Sequence, residues 1–179
     1  MRIIIGLMGL LGSGKSEAAN HLVLNHGFQR IKFAGPLKNM MRALGLGENE
    51  IEGDRKELPC NLLGGKTPRF AMQTLGTEWG RNLIDPGLWV RAWMVAVGGT
   101  AEDSKIVVDD VRFPNEVRAL LDMAPELGRV IRIVRPMVGK APSSHVSEHQ
   151  GLSADHEILN DGSIDKLYEN LDVIVEGLR

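Results

Sequence analysis

The sequence predicts a three-layer α/β domain built on a central parallel sheet of about five strands. Three observations carry this expectation. Short runs of continuous apolar and β-branched residues, the pattern of strands covered on both faces, recur along the chain. They alternate with segments of helical periodicity, as strand–helix–strand crossovers require. The first run also turns through closely spaced glycines directly into a helix.

The elements follow in order. Ile3-Ile4-Ile5-Gly6-Leu7-Met8 is the first buried strand. Lys15 to His26 is a helix with Ala18, Ala19, Leu22 and Val23 on one side, and Gly27 is free to end it with a positive φ. Phe28 to Phe33 is a second short strand, and a helix runs from Pro36 to about Leu44, closed by Gly45 and Gly47. From Glu48 to Thr67 charges crowd together among Pro59, Gly64-Gly65 and Pro68, which reads as a mobile insertion between core elements. A helix resumes near Arg69 and passes through Leu75 and Trp79; Asp85-Pro86 opens another, with Trp89, Val90, Trp93 and Val97 at helical spacing.

Lys105 to Asp110 is the next strand, followed by a helix from Pro114. Val130 to Val134 is a fourth strand, and a polar loop from Arg135 to Ser153 leads to a short fifth at His156–Leu159. Ser163 is a natural cap for a last helix striped by Ile164, Leu167, Leu171 and Ile174. The 179 residues, 43% apolar, suit one domain with a full core.

Composition excludes several functions. With 21 basic and 23 acidic residues, stable nucleic-acid binding is not expected. One cysteine, Cys60, excludes a disulfide framework, and no run approaches the length of a membrane span. The expectation is a cytoplasmic protein with no membrane partner.

The chemistry begins at Gly9-Leu10-Leu11-Gly12-Ser13-Gly14-Lys15-Ser16. This pattern at a strand-to-helix turn is a P-loop. Its glycines let successive N–H groups point at phosphate oxygens, Lys15 neutralises phosphates, and the Ser16 hydroxyl suits Mg²⁺. It makes the predicted sheet that of a P-loop NTPase with ATP and Mg²⁺ as ligands. Asp109-Asp110 ends an apolar strand, where such a site needs a carboxylate beside the metal or its waters; the pattern does not choose between them. Lys38, Arg69, Arg81, Arg112 and Arg135 lie near strand ends or in the segments above them, as binding of a second phosphate would require. His145 and His149 flank Glu148, but the segment reads as loop and a metal site there is not favoured. The three tryptophans on helical stripes read first as core.

Beyond the P-loop, several runs are more specific: Phe33-Ala34-Gly35-Pro36-Leu37-Lys38, Thr67-Pro68-Arg69, Gln73 through Arg81, Asp110-Val111-Arg112-Phe113-Pro114-Asn115-Glu116, Ser144 through Glu148, and Asn160-Asp161-Gly162-Ser163. With them nearly the whole chain resembles the deoxynucleoside monophosphate kinases found chiefly in bacteriophages. The resemblance implies an adenylate-kinase-like fold, with an acceptor-side insertion at about 35–82 and a lid at about 135–153. It implies ATP-dependent, in-line phosphorylation of deoxynucleoside monophosphates, with Mg²⁺, in the host cytoplasm if phage-encoded.

Carried over residue by residue, the resemblance gives ATP to Leu11, Gly12, Ser13, Gly14, Lys15 and Ser16, with Asn160 and Gly162 near the adenine. It gives the acceptor to Lys38, Arg69, Gln73, Trp79, Arg81 and Arg112. Asp110 is favoured over Asp109 for Mg²⁺, directly or through water, beside Ser16. Lys15, Asp110, Arg112 and Arg135 would act on the transferring group. Gly35 stands where many relatives carry an acidic residue. A homodimer is compatible with this reading, although no exposed apolar stripe marks an interface. The alternatives are another small-molecule P-loop kinase, such as a dephospho-coenzyme A kinase, or a nucleotide-dependent ATPase or switch protein.

Overall fold

The computed structural model describes residues 1–136 and 152–178. The chain divides into two compact units, one formed by Met1–Lys32 with Ala96–Arg179 and the other by Phe33–Val95.

The first unit holds the sheet. Strands β1 (Ile3–Met8), β2 (Gln29–Arg30), β3 (Lys105–Val108), β4 (Gly128–Val134) and β5 (His156–Leu159) lie in the order β2-β3-β1-β4-β5. Every pairing is parallel, as the alternation of strands and helices requires. All six residues of β1 are buried, which is why its apolar run is unbroken. On one face Ile3, Ile5 and Leu7 pack with Val107, Ile131 and Ile133. Helices α1 (Lys15–His26) and α7 (Ile164–Glu176) cover them through Ala18, Ala19, Leu22, Leu167, Leu171 and Val175. On the other face α6 (Pro114–Met123) packs so closely that a Cβ on Gly6 would lie 2.5 Å from Leu120 Cδ1.

The ends of these helices are where the sequence signals put them. Gly27 stops α1 at φ 71°, its N–H donating to the Leu22 carbonyl. The Ser163 hydroxyl caps α7 by accepting the Lys166 N–H at 3.3 Å. Polar groups also join α1 to α7: His21 and His26 each approach Asp172 Oδ1 at 2.6 Å. Burial works against the charged carboxyl of Asp172, but hydrogen bonds from the two imidazoles hold it below the usual carboxylate range.

The second unit carries α2 (Gly35–Ala43), α3 (Glu48–Ile51), α4 (Pro68–Gln73), a π-helix over Thr74–Ile84 and most of α5 (Leu88–Gly98). Its core joins Leu37, Met41, Leu46, Ile51, Met72 and Trp89. The segment expected to be a mobile insertion instead folds as α3 and two 3₁₀ turns, Asp54–Glu57 and Asn61–Leu63. Ile51, fully buried, anchors it. The Thr67 hydroxyl caps α4 by accepting the Phe70 N–H at 3.1 Å. Within the π-helix Gly80 lies against the Trp89 indole, which a Cβ would meet at 2.6 Å, and Trp89 Nε1 donates to the Gly76 carbonyl at 2.8 Å. Trp89 and Trp93 are core residues, whereas Trp79 remains 38% exposed.

The polar loop expected to form a lid lies outside the described residues except at its ends, as do His145, Glu148 and His149. Among the described residues no helix is long and apolar enough to cross a membrane.

Candidate functional site

The loop after β1 is shaped by its glycines. Gly9, Gly12 and Gly14 have φ of 146°, 79° and 109°, values that residues with a Cβ rarely adopt. Space adds a second constraint at two of them. A Cβ on Gly9 would fall 2.3 Å from the Ile133 carbonyl oxygen, and one on Gly14 would fall 2.6 Å from Asn160 Nδ2. Gly9→Ala therefore combines backbone strain with a collision against β4. The expected result is a loss of about 2–4 kcal/mol of stability and of nucleotide binding, read by denaturant unfolding and a nucleotide titration.

Lys15 sits at the first turn of α1 and donates from Nζ to the carbonyls of Gly9 and Leu10, both at 2.7 Å. The ammonium thus lies over the loop, close to the positive end of the helix dipole. Ser13 Oγ is buried, only 1% of the residue is exposed, and the hydroxyl has no partner among the described residues. The Ser13 carbonyl accepts from Asn160 Nδ2 at 2.9 Å, and the Asn160 N–H in turn donates to the Val134 carbonyl at 2.7 Å. Asn160 thereby ties the loop to the end of β4. Leu11 and Ser16 are exposed, as is Gly162.

Backbone cradles closed to any Cβ and an unsatisfied hydroxyl fit a polyphosphate, which offers acceptor oxygens to loop N–H groups, Lys15 Nζ and Ser13 Oγ. Oxygen donors for a hard cation such as Mg²⁺ stand in the same unit: the Ser16 hydroxyl and the carboxylates that follow β3.

Those two carboxylates differ. Asp109 is buried, with Oδ2 3.8 Å from Arg30 Nη1 and 3.5 Å from Lys32 Nζ, and its Oδ1 has no partner among the described residues. Asp110, the next residue, is only half-buried. Arg30 and Lys32 did not stand out from sequence, since β2 is a two-residue strand whose neighbours across the sheet cannot be read locally. Past Asp110 the chain is held by Glu116. This residue is 2% exposed, and its Oε2 accepts the N–H groups of Arg112 and Phe113 at 2.7 and 3.0 Å. The signal is present in Phe113-Pro114-Asn115-Glu116, a carboxylate three residues after the cap position Phe113. Arg112 and Arg135 are both exposed.

In the second unit, Lys38 Nζ pairs with Glu52 Oε1 at 2.6 Å, and Arg69 Nε donates to Glu57. Gln73 is exposed on α4, and Arg81 donates from Nη1 to the Pro86 carbonyl at 3.3 Å.

Comparison with known proteins follows these features. A family model described as "Deoxynucleotide monophosphate kinase" matches residues 66–171. A protein of Acanthamoeba polyphaga mimivirus named "Putative deoxynucleotide monophosphate kinase" is 34% identical over 186 residues, covering 94% of this chain and 94% of that protein. Among solved structures, the APS kinase of Mycobacterium tuberculosis in complex with AMPPNP and APS aligns with a TM-score of 0.54 at 14% identity, over 97% of each chain. The shikimate kinase of Aquifex aeolicus aligns with a TM-score of 0.53 at 15% identity, over 99% of this chain and 97% of that one. At such identities the structural likeness concerns the fold alone, and the fold is that of the P-loop kinases.

Proposed function

The chain belongs to the deoxynucleotide monophosphate kinase family, and we propose that it phosphorylates deoxynucleoside 5′-monophosphates at the expense of ATP. The observation that carries this reading is the loop Gly9–Ser16, with its positive-φ glycines, overlying lysine and unsatisfied Ser13 hydroxyl, in a chain of this family.

In the proposed reaction an oxygen of the acceptor monophosphate attacks the γ-phosphorus of ATP in line. The bond to the β,γ-bridging oxygen breaks, and ADP and a deoxynucleoside diphosphate leave. Little covalent work falls to the protein, so its residues act by position and charge. Loop N–H groups from Leu11 to Ser16 hold the donor's phosphates, and Lys15 moves from the carbonyls of Gly9 and Leu10 onto phosphate oxygens. Asn160 keeps the loop in its cradle, with Gly162 beside it toward the adenine. Ser16 and Asp110 would hold Mg²⁺, directly or through water, and the ion would supply charge neutralisation at the phosphates. Arg112 and Arg135 contribute to the charge around the transferring group.

Lys38 and Arg69 take the acceptor phosphate, with Arg81 in support and Gln73 and Trp79 toward the base. Lys38 and Arg69 are already paired with Glu52 and Glu57. Such partly exposed pairs are worth only about 0–1 kcal/mol, so a dianionic phosphate can displace the glutamates.

A coupled ADP-release assay with ATP, Mg²⁺, each common deoxy- and ribonucleoside monophosphate, and dephospho-coenzyme A tests the reading. At least one deoxynucleoside monophosphate should raise turnover well above the ATP-only background. Stimulation by dephospho-coenzyme A alone, or by nothing, overturns it. In the same assay Arg69→Ala should raise the acceptor KM by about 10- to 100-fold, corresponding to a charge-assisted contact worth about 1.5–3 kcal/mol, with the KM for ATP nearly unchanged. Equal weakening of both substrates would remove Arg69 from the acceptor side.

A further inference from the structure

Away from the P-loop, His21 and His26 on α1 and Asp172 on α7 bring their donor atoms within 4.8 Å of one another. Each imidazole presents Nε2 to the same oxygen, Asp172 Oδ1, at 2.6 Å. The rings are set edge-on, 5.5 Å apart at 65°, so that they converge on one point instead of stacking together. His21 is fixed on both sides: Tyr168 stacks on it at 4.1 Å, and Asn25 Nδ2 lies 3.1 Å from its Nδ1. The side chains of His21 and His26 are 7% and 10% exposed, and Asp172 is 39% exposed. One buried and one half-buried imidazole, with a carboxylate that has a solvent-facing side, form the donor set of a three-ligand transition-metal site. His26 is also the last residue of α1, where the helix dipole favours a cation.

We propose that His21, His26 and Asp172 bind a divalent transition metal of the Zn²⁺ class, pinning the P-loop helix α1 to α7. Metal entry rearranges the cluster. Tetrahedral bonds of about 2.0–2.1 Å set donor atoms roughly 3.3 Å apart, so the 2.6 Å contacts to Asp172 must lengthen, which its exposure permits, and the imidazoles must settle at that same spacing from within the 4.8 Å cluster. Nε2 takes the metal only without its proton, so in the metal form each ring N–H lies at Nδ1. At His21 the Asn25 amide can turn over to accept that proton, at the cost of the 3.2 Å bond its Nδ2 donates to the His21 carbonyl. At His26 Nδ1 lacks a partner among the described residues whichever tautomer is present, so this atom does not weigh against the metal form.

The test uses the untagged full chain, freed of metal by chelation and titrated with Co²⁺ and Zn²⁺. The metal-free alternative is a hydrogen-bonded clamp only. The wild-type chain should bind one Co²⁺ with the intense visible bands of a tetrahedral site, and show two paramagnetically shifted imidazole N–H signals. Zn²⁺ should raise its melting temperature. Asp172→Asn and His26→Gln should each weaken Co²⁺ by at least about tenfold and remove the Zn²⁺-dependent rise. Absence of the bands and shifted signals in the wild type, which needs no variant to fold, overturns the proposal. So does unchanged binding in both variants, which would place the metal elsewhere. Kinase turnover enters none of these readouts, so the proposal stands or falls independently of the proposed reaction.

Discussion

Lys15→Ala is expected to lower kcat by about 10²- to 10³-fold while leaving the fold in place. The magnitude follows from what is lost: one preorganised cation at oxygens whose charge is redistributed in the transition state, worth about 2.7–4 kcal/mol in comparable sites. The fold is spared because the loop keeps its other supports when the Lys15 Nζ bonds to the carbonyls of Gly9 and Leu10 are lost. Asn160 still holds the Ser13 carbonyl, and the positive-φ glycines are unchanged. Turnover by ADP release and melting by circular dichroism separate the two effects. Unchanged kcat would mean that the loop does not hold the reacting phosphates. A fall in kcat accompanied by an equal loss of stability would mean that the lysine acts as a structural pin.

Much of the frame was legible because its signals are local. An unbroken apolar run, three glycines and a Lys-Ser at a helix start lie next to one another in the chain, and β1 and α1 fall where those residues place them. Features that depend on distant neighbours were harder to read. Phe28–Phe33 suggests a six-residue strand, yet among the described residues only Gln29 and Arg30 pair, because β2 lies at the end of the strand order with β3 beside it. The charged stretch after Gly47 looks like mobile loop until Ile51 is seen buried beside Met41 and Met72. Gln73 to Arg81 looks like ordinary helix; the π-helical widening accompanies the close fit of Gly80 to Trp89, which no window of sequence displays. At the site, the contact of Asn160 with Ser13 joins residues 147 positions apart. Resemblance gave Asn160 to the adenine, and the bond of its side chain to the loop's backbone is a further contact that no local pattern displays.

Asp109 and Asp110 show most sharply what burial adds to sequence, and their asparagine variants should fail in opposite ways. Asp109 lies in the core beside Arg30 and Lys32, which are 25% and 23% exposed at their side chains. Removing one partner of a fully buried pair costs about 3–5 kcal/mol; here both cations still reach water, so Asp109→Asn should cost about 1–3 kcal/mol of stability. Some activity should survive wherever the protein remains folded. Asp110 is half-buried at the C-terminal end of the parallel strands, the end at which β1 passes into the P-loop. On the proposed reading its carboxylate serves Mg²⁺, so Asp110→Asn should change stability by less than about 1 kcal/mol and lower kcat by about 10²-fold or more. Raising Mg²⁺ should recover part of that loss in Asp110→Asn and none of the stability lost in Asp109→Asn. Urea unfolding and Mg²⁺ titrations of turnover measure both quantities. The reverse pattern, with a stable but inactive Asp109→Asn whose turnover answers to Mg²⁺, would move the metal to the unpartnered Oδ1 of Asp109 and make Arg30 and Lys32 its charge-balancing neighbours.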